Sequence, residues 1–450
     1  MKERRGLMTS GPVAKQIFSF AVPLLLGNLF QQLYNAVDSA VVGHFVGNQA
    51  LAAVGSSASI INLVVNLFMG VAIGGSVIVS QYYGARRKQE LHDAVHTIMA
   101  FSLLAGVVMT IFGVILSPWI LRWMGTPEDV MQYSVTYFRI FFGGILSTVI
   151  YNMGSGLLRA VGDSKRPLYF LIFASILNIG LDVLFVAVFH WGVAGVAIAT
   201  IAAQAVSSVL VLYVLIQSDE EYRLILKDIR IHKKELGYVI RLGVPSGIQN
   251  AVIAFSNVIV QKSINVFGSA AMAGVGAYFK IDGFAVLPVI SFSMSMTTFI
   301  GQNMGAREYE RVKAGRKAGT LMGAGTILGI TILLQFLGTY MLRIFTDDPE
   351  VIQYGIQAMR TLSLGYVLLA YSQVTAGVLR GAGLTSVPMV VMILCWCGIR
   401  MLWVSLVGVR LDSLNLVLGG YPVSWLFSSL ILAVYIRKVD WIHYSEKHMR

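Results

Sequence analysis

The chain has 450 residues, 56% of them hydrophobic and only 12% charged, with a mean hydropathy of +0.73. A soluble domain carries about a quarter charged residues, so the missing charge excludes an ordinary globular enzyme or module. The net charge of +12 would suit nucleic acid, but the basic residues sit in short loops between apolar runs. That pattern orients a membrane protein, and no nucleic-acid partner is expected.

Twelve apolar stretches follow in chain order, at 17–46, 51–80, 92–116, 134–158, 168–189, 193–216, 238–266, 270–300, 316–340, 353–379, 387–407 and 414–436. Each is long enough to cross roughly 30 Å of hydrocarbon as a helix. Several carry glycines or a proline (Pro23, Pro245, Pro288), which predicts tilted or bent spans. The basic start, Met1 to Lys15, leads into an apolar run too long for a cleaved leader and without a small-residue cleavage site.

Counting Lys and Arg sets the orientation. With the N-terminus inside, the inner segments hold 26 of the 34, whereas the outer loops hold only Arg122, Arg343 and Arg410. The inner set begins with Lys2, Arg4, Arg5 and Lys15 and ends with Arg437, Lys438, Lys447 and Arg450. An odd number of spans would break this alternation. Twelve spans with both termini cytoplasmic are therefore expected.

The second half repeats the first at an offset of about 221 residues. Val22-Pro23 returns as Val244-Pro245, and Gln81, Gly84, Ala85 and Arg86 return as Gln302, Gly305, Ala306 and Arg307. Tyr133, Arg139, Leu158-Arg159, Gly162 and Pro167 match Tyr354, Arg360, Leu379-Arg380, Gly383 and Pro388. Six spans is an even number, so both halves enter from the same side as a parallel repeat, with a substrate site expected near the midplane between them. The expected domains are an N-terminal six-helix lobe over 1–216, a charged cytoplasmic linker over 217–236 and a C-terminal six-helix lobe over 237–450.

Charge at bilayer depth costs about 2.5–3.5 kcal/mol on insertion scales, so each instance needs a reason. Of 22 acidic residues, only Asp38, Asp182 and Asp282 fall well inside spans. Each can also be read as a structural polar group bonded to a neighbouring helix. Depth favours a site: Asp38 lies in the outer half of the first span, and Asn178 and Asp182 share a face of the fifth. Thr200 of the sixth and Asn152 of the fourth fall in the same layer. Such an oxygen-rich group suits Na⁺, and a close carboxylate pair suits H⁺, titrating as a unit.

Lys280 and Asp282 in the eighth span and Arg400 in the eleventh form a mixed-sign set at intermediate depth. It reads either as a neutral lock between helices or as a polar wall against substrate. Tyr34, Met69, Gln249, Tyr278, Phe284, Met294 and Tyr371 are further candidates for a cavity lining, since Met and aromatic walls accept varied ligands. Cys395 and Cys397, two apart, point to different sides of a helix, so no disulfide is expected. His92 and His96 have the i, i+4 spacing of a helical metal pair, but no third ligand lies near them in the sequence. No metal beyond a coupling Na⁺, no cofactor and no ATP-binding loop are expected.

Four motifs together resemble the multidrug and toxic compound extrusion (MATE) transporters. They are Gln32-Leu33-Tyr34-Asn35-Ala36-Val37-Asp38, the run Val46-Gly47 to Ala50-Leu51-Ala52-Ala53-Val54-Gly55, Gln81-Tyr82-Tyr83-Gly84-Ala85, and Arg159-Ala160-Val161-Gly162-Asp163-Ser164-Lys165 through Pro167. The resemblance covers nearly the whole chain. It implies an all-α membrane protein of twelve transmembrane helices in two pseudo-symmetric six-helix bundles, V-shaped and alternating between outward- and inward-open states. It also implies a first-lobe cation site at positions matching Asp38, Asn152, Asn178, Asp182 and Thr200, and gives Asn152 a weight that depth alone does not. Some relatives hold a cation with acids in the seventh and tenth spans. Here those spans offer only uncharged candidates such as Gln249, Asn250, Tyr371 and Gln373, so no second-lobe cation site is expected.

The reading is a monomeric antiporter in contact with membrane lipid that exports organic, cationic or amphipathic compounds against H⁺ or Na⁺. A lipid-linked oligosaccharide flippase is the nearest alternative, and a channel a more remote one. An enzyme would need a nucleophile or metal set at one depth, and none is seen.

Overall fold

In a computed structural model the backbone is described over residues 6–408, 410–411 and 413–448. Side chains are described over the same residues except 39–40, 48–53, 56, 58–60, 62–63, 67 and 445–448. Lys2, Arg4, Arg5 and Arg450, and the side chains of Lys447 and of the motif residues at 50–53, lie outside the described residues. All regular structure among the described residues is helical.

The first half runs α1 (Val13–Val41), α2 (Asn48–Gly84), α3 (Lys88–Trp123), α4 (Glu128–Gly143), α5 (Ile145–Ala160), α6 (Lys165–Asp182) and α7 (Gly192–Gln217). The second runs α8 (Lys233–Asn265), α9 (Ser269–Ala285), α10 (Leu287–Gly305), α11 (Tyr309–Arg343), α12 (Pro349–Ser363) and α13 (Tyr366–Gly381). It continues with α14 (Ser386–Met392), α15 (Arg400–Trp403), α16 (Leu414–Lys438) and α17 (Trp441–His448). Wide π turns extend α1 over Val42–Val46 and α6 over Val183–Val188, and flank α15 over Ile393–Ile399 and Val404–Gly408.

Among the described residues ten segments are long and apolar enough to span a bilayer, and two bent pairs, α4–α5 and α12–α13, each counted as one span, bring the total to twelve. The sequence expectation of twelve spans is met. Of the glycines and prolines expected to bend spans, Gly144 and Gly365 sit at sharp bends of 48° and 49°, while α1 runs on through Pro23 and α8 through Pro245. These two glycines keep the 221 offset. A Cβ on Gly365 would lie 2.9 Å from the Trp425 ring, so each bend packs where only hydrogen fits. Pro288 instead opens α10, where a missing N–H costs no helical bond.

The repeat is visible in the backbone. Left-handed φ angles recur at Gly47 and Gly268, Arg86 and Arg307, and Gly162 and Gly383, each pair 221 apart. Long apolar side chains, including Leu104, Ile111, Phe112 and Ile115 of α3 and Leu333 and Phe336 of α11, are exposed. Trp119 and Trp123 close the α3 band, as aromatic residues do where hydrocarbon meets water.

The chain forms two compact units. Unit 1 takes Gly6 and Leu26–Val244, and unit 2 takes Leu7–Leu25 and Pro245–Arg450. The chain thus passes between units after Gly6, beside Pro23 in α1 and again at Pro245 in α8, and the charged segment over 217–236 belongs to unit 1. In unit 1, α2 and α8 touch backbone to backbone: a Cβ on Gly74 would lie 2.6 Å from both the Gly243 Cα and the Val239 carbonyl oxygen. Gly74→Val is therefore expected to destabilise the unit by about 1–3 kcal/mol or more, read as a lower thermal midpoint in detergent. An unchanged midpoint would mean the helices are not in contact there.

Candidate cation site in unit 1

Asp182 is the last residue of α6, and the wide turn that follows widens the helix directly beyond it. Asp38 lies one turn before the corresponding wide turn at the end of α1. Such turns leave the regular hydrogen-bond ladder and are frequent at functional sites. They place two acids of separate helices against each other, with the carboxyl groups within hydrogen-bonding reach. Asp182 and Asn178 are fully buried, and Asp38 is half-buried.

With its amide oriented to satisfy both ends, Asn178 donates Nδ2 to Asp182 Oδ2 at 3.0 Å and accepts the Thr200 backbone N–H at 3.3 Å. Thr200 Oγ1 donates to the Val196 carbonyl oxygen at 3.0 Å and lies within hydrogen-bonding reach of the Tyr34 hydroxyl. Oδ1 of Asp38 and Oδ1 of Asp182 are both shut off from solvent without a hydrogen-bond partner among the described residues. Buried acceptors are rarely left so, and two such acid oxygens in one cluster could hold a proton or a cation.

Four of the five sequence candidates therefore meet, and Tyr34, expected in a substrate cavity, joins them. Asn152 stands apart. Its Nδ2 donates to the Thr148 carbonyl oxygen of its own helix at 2.9 Å, and no hydrogen bond among the described residues ties it to the acids. Tyr137 of α4 was missed: it is buried and close enough to interact electrostatically with Asp38, Tyr34 and Asp182. Only its place on the span that ends at the Gly144 bend could have drawn attention to it.

In unit 2 the mixed-sign set comes apart. Asp282 accepts hydrogen bonds from Tyr366 and from Tyr278, the latter at 3.4 Å, and the two hydroxyls lie 2.6 Å apart. Lys280 is exposed, its ammonium 5.4 Å above the Phe345 ring. Arg400 is 1% exposed. Its Nε and Nη2 donate to Ser424 Oγ at 3.2 and 3.0 Å, and its Nη1 donates to Asn257 Oδ1 at 3.0 Å. The Tyr421 and Trp396 rings lie 4.2 and 5.4 Å from its guanidinium carbon. No ion pair among the described residues joins these three, and Lys280 and Asp282, two residues apart on α9, lie about 200° apart around the helix axis and so face opposite ways. Gln249 is buried and donates to Met392 Sδ at 3.2 Å, and Phe284 is exposed. Met69, Met294 and Tyr371 are half-buried. At the 221 offset, Asn178, Asp182 and Thr200 correspond to Ile399, Trp403 and Tyr421, so the second half carries no copy of the acid cluster.

The MatE family profile matches residues 23–184 and again 245–404, two stretches that begin at the repeat-related prolines. The chain belongs to the MatE family. It is 31% identical over 438 residues to "Probable multidrug resistance protein YpnP" of Bacillus subtilis (strain 168), covering 96% of this chain and 97% of that one. It is 30% identical over 434 residues to "Probable multidrug resistance protein YoeA" of the same organism, covering 93% and 92%. A solved structure described as "Crystal structure of MATE in complex with MaL6" superposes with a TM-score of 0.92 at 23% identity, covering 99% of this chain and all of that one. The MatE chain thus has the twelve-helix fold that its repeat predicts.

Proposed function

We propose that this MatE protein is a cation-coupled exporter of organic compounds, a transporter and not an enzyme, with the Asp38–Asp182 cluster as its coupling site. The observation that carries the reading is the pair of buried, unpartnered acid oxygens beside Asn178, Thr200 and Tyr34. Two carboxylates in hydrogen-bonding reach repel unless a proton or a cation lies between them, so occupancy and arrangement are linked. The multidrug resistance names of the relatives YpnP and YoeA support organic compounds as cargo.

In this mechanism the inward-facing, cation-free protein takes cargo from the cytoplasm or the inner leaflet and turns outward. H⁺ or Na⁺ then enters at Asp38 and Asp182, removes the repulsion between them and draws α1 toward α6. That shift releases cargo and favours the return. Cation and cargo must each bias the same equilibrium in opposite senses for the exchange to be tight. The protein works as a monomer in the inner membrane, both termini cytoplasmic. A flippase for pyrophosphate-linked lipids needs an open cationic cavity, and the burial of Arg400 and the outward face of Lys280 argue against one.

The test is efflux from reconstituted vesicles with pH and Na⁺ gradients imposed separately. One gradient alone is expected to drive export of an organic cation such as ethidium. Export indifferent to both would overturn the reading.

A further inference from the structure

The segment between α7 and α8 is strapped to the first turns of α3 by polar side chains of unit 1. His92 and His96 stand one turn apart on α3, their rings stacked with centroids 3.9 Å apart. Facing them is Asp228, the last residue of the short 3-10 turn Leu226–Asp228. One donor atom from each of the three lies within 4.8 Å of the other two. The histidine spacing thus acquires the third ligand that the sequence did not reveal, because Asp228 arrives from a distant part of the chain.

Two details go beyond proximity. Bonds of about 2.0 Å to a tetrahedral ion set its ligand atoms roughly 3.3 Å apart. His92 Nε2 and Asp228 Oδ2 are separated by 3.3 Å. His96 also has the tautomer of a metal ligand. Its Nδ1 donates to the His92 carbonyl oxygen at 2.7 Å, which leaves the lone pair on Nε2. That lone pair accepts the Ile225 backbone N–H at 2.9 Å, so an ion would take the place now held by a hydrogen.

We propose that His92, His96 and Asp228 form a binding site for a divalent transition-metal ion of the Zn²⁺ class, which staples the inter-half segment to α3. Two imidazoles and one carboxylate suit such an ion and not Mg²⁺ or Ca²⁺, which take oxygen. A fourth position stays open to water. The site does not depend on the coupling cluster, and its failure would leave the transport reading untouched. Lys88 and Glu221 at 3.0 Å, and the His232 N–H donating to Thr97 Oγ1 at 3.1 Å, hold the strap without an ion. Ligand variants are therefore expected to fold.

The experiment titrates tag-free, full-length protein in detergent with Zn²⁺ against a chromophoric chelator. One equivalent is expected, weakened at least tenfold in His92→Ala and in Asp228→Ala and unchanged in His443→Ala, whose imidazole pairs with Asp440 elsewhere. Co²⁺ in its place is expected to give the intense visible bands of a tetrahedral site. Asp228→Asn, at a residue with a side chain 46% exposed, keeps volume and carries the test should His92→Ala aggregate. A wild-type protein that binds no equivalent, or either ligand variant binding as tightly as wild type, would overturn the site.

Discussion

Asp38→Asn is expected to abolish cation-driven export, at least a hundredfold down to vesicle background, while the protein still inserts and elutes as a single species. Asparagine keeps the shape and one hydrogen-bonding oxygen, so packing around α1 survives. What it loses is the second negative charge, and with it the repulsion that a proton or Na⁺ relieves. Asp182→Asn is expected to behave alike, since the two acids act on one another. Thr200→Val removes only a neutral oxygen and should weaken coupling about tenfold, the scale of one lost hydrogen bond between neutral groups. The measurement is dye uptake into everted vesicles under an imposed gradient, normalised to inserted protein. Wild-type uptake in Asp38→Asn would remove the acid pair from the mechanism.

Much of this architecture is legible in the chain because membrane spans obey few rules. Apolar length marks the spans, and the recurrence of Gly162 as Gly383 and of Arg86 as Arg307 marks left-handed turns that reappear in the backbone. Asp38, Asn178, Asp182 and Thr200 were found for a related reason: polar groups at that depth are few, and their heights follow from the rise of a helix. Height says nothing of azimuth. Lys280 and Asp282 share a depth yet point apart, and Asn152 shares the layer of the acids while its amide turns back on its own helix. Tyr137 was hidden for the same reason, since one buried aromatic among many carries no mark of the face it presents. Asp228 lay in a charged segment that reads as solvated, although that segment is strapped to α3 through His96 and Thr97.

Arg400 allows the two sequence readings of the second half to be separated by stability. A guanidinium 1% exposed, with Ser424 and Asn257 as acceptors and aromatic rings on its flanks, holds α8, α15 and α16 together. Its charge is met by dipoles and ring faces, since no acid lies within ion-pairing distance among the described residues. Removing it strands three donor–acceptor contacts and opens a cavity. Arg400→Ala is therefore expected to cost about 3 kcal/mol or more, seen as a large fall in the thermal midpoint in detergent. Arg400→Lys should recover only part of this, because an ammonium has neither the planar fork that reaches Ser424 and Asn257 together nor a face to stack on Tyr421. Protein that does fold should keep its affinity for cargo, because the side chain has no surface to offer a ligand. A normal midpoint with lost cargo binding would reverse the assignment and make Arg400 part of the substrate wall.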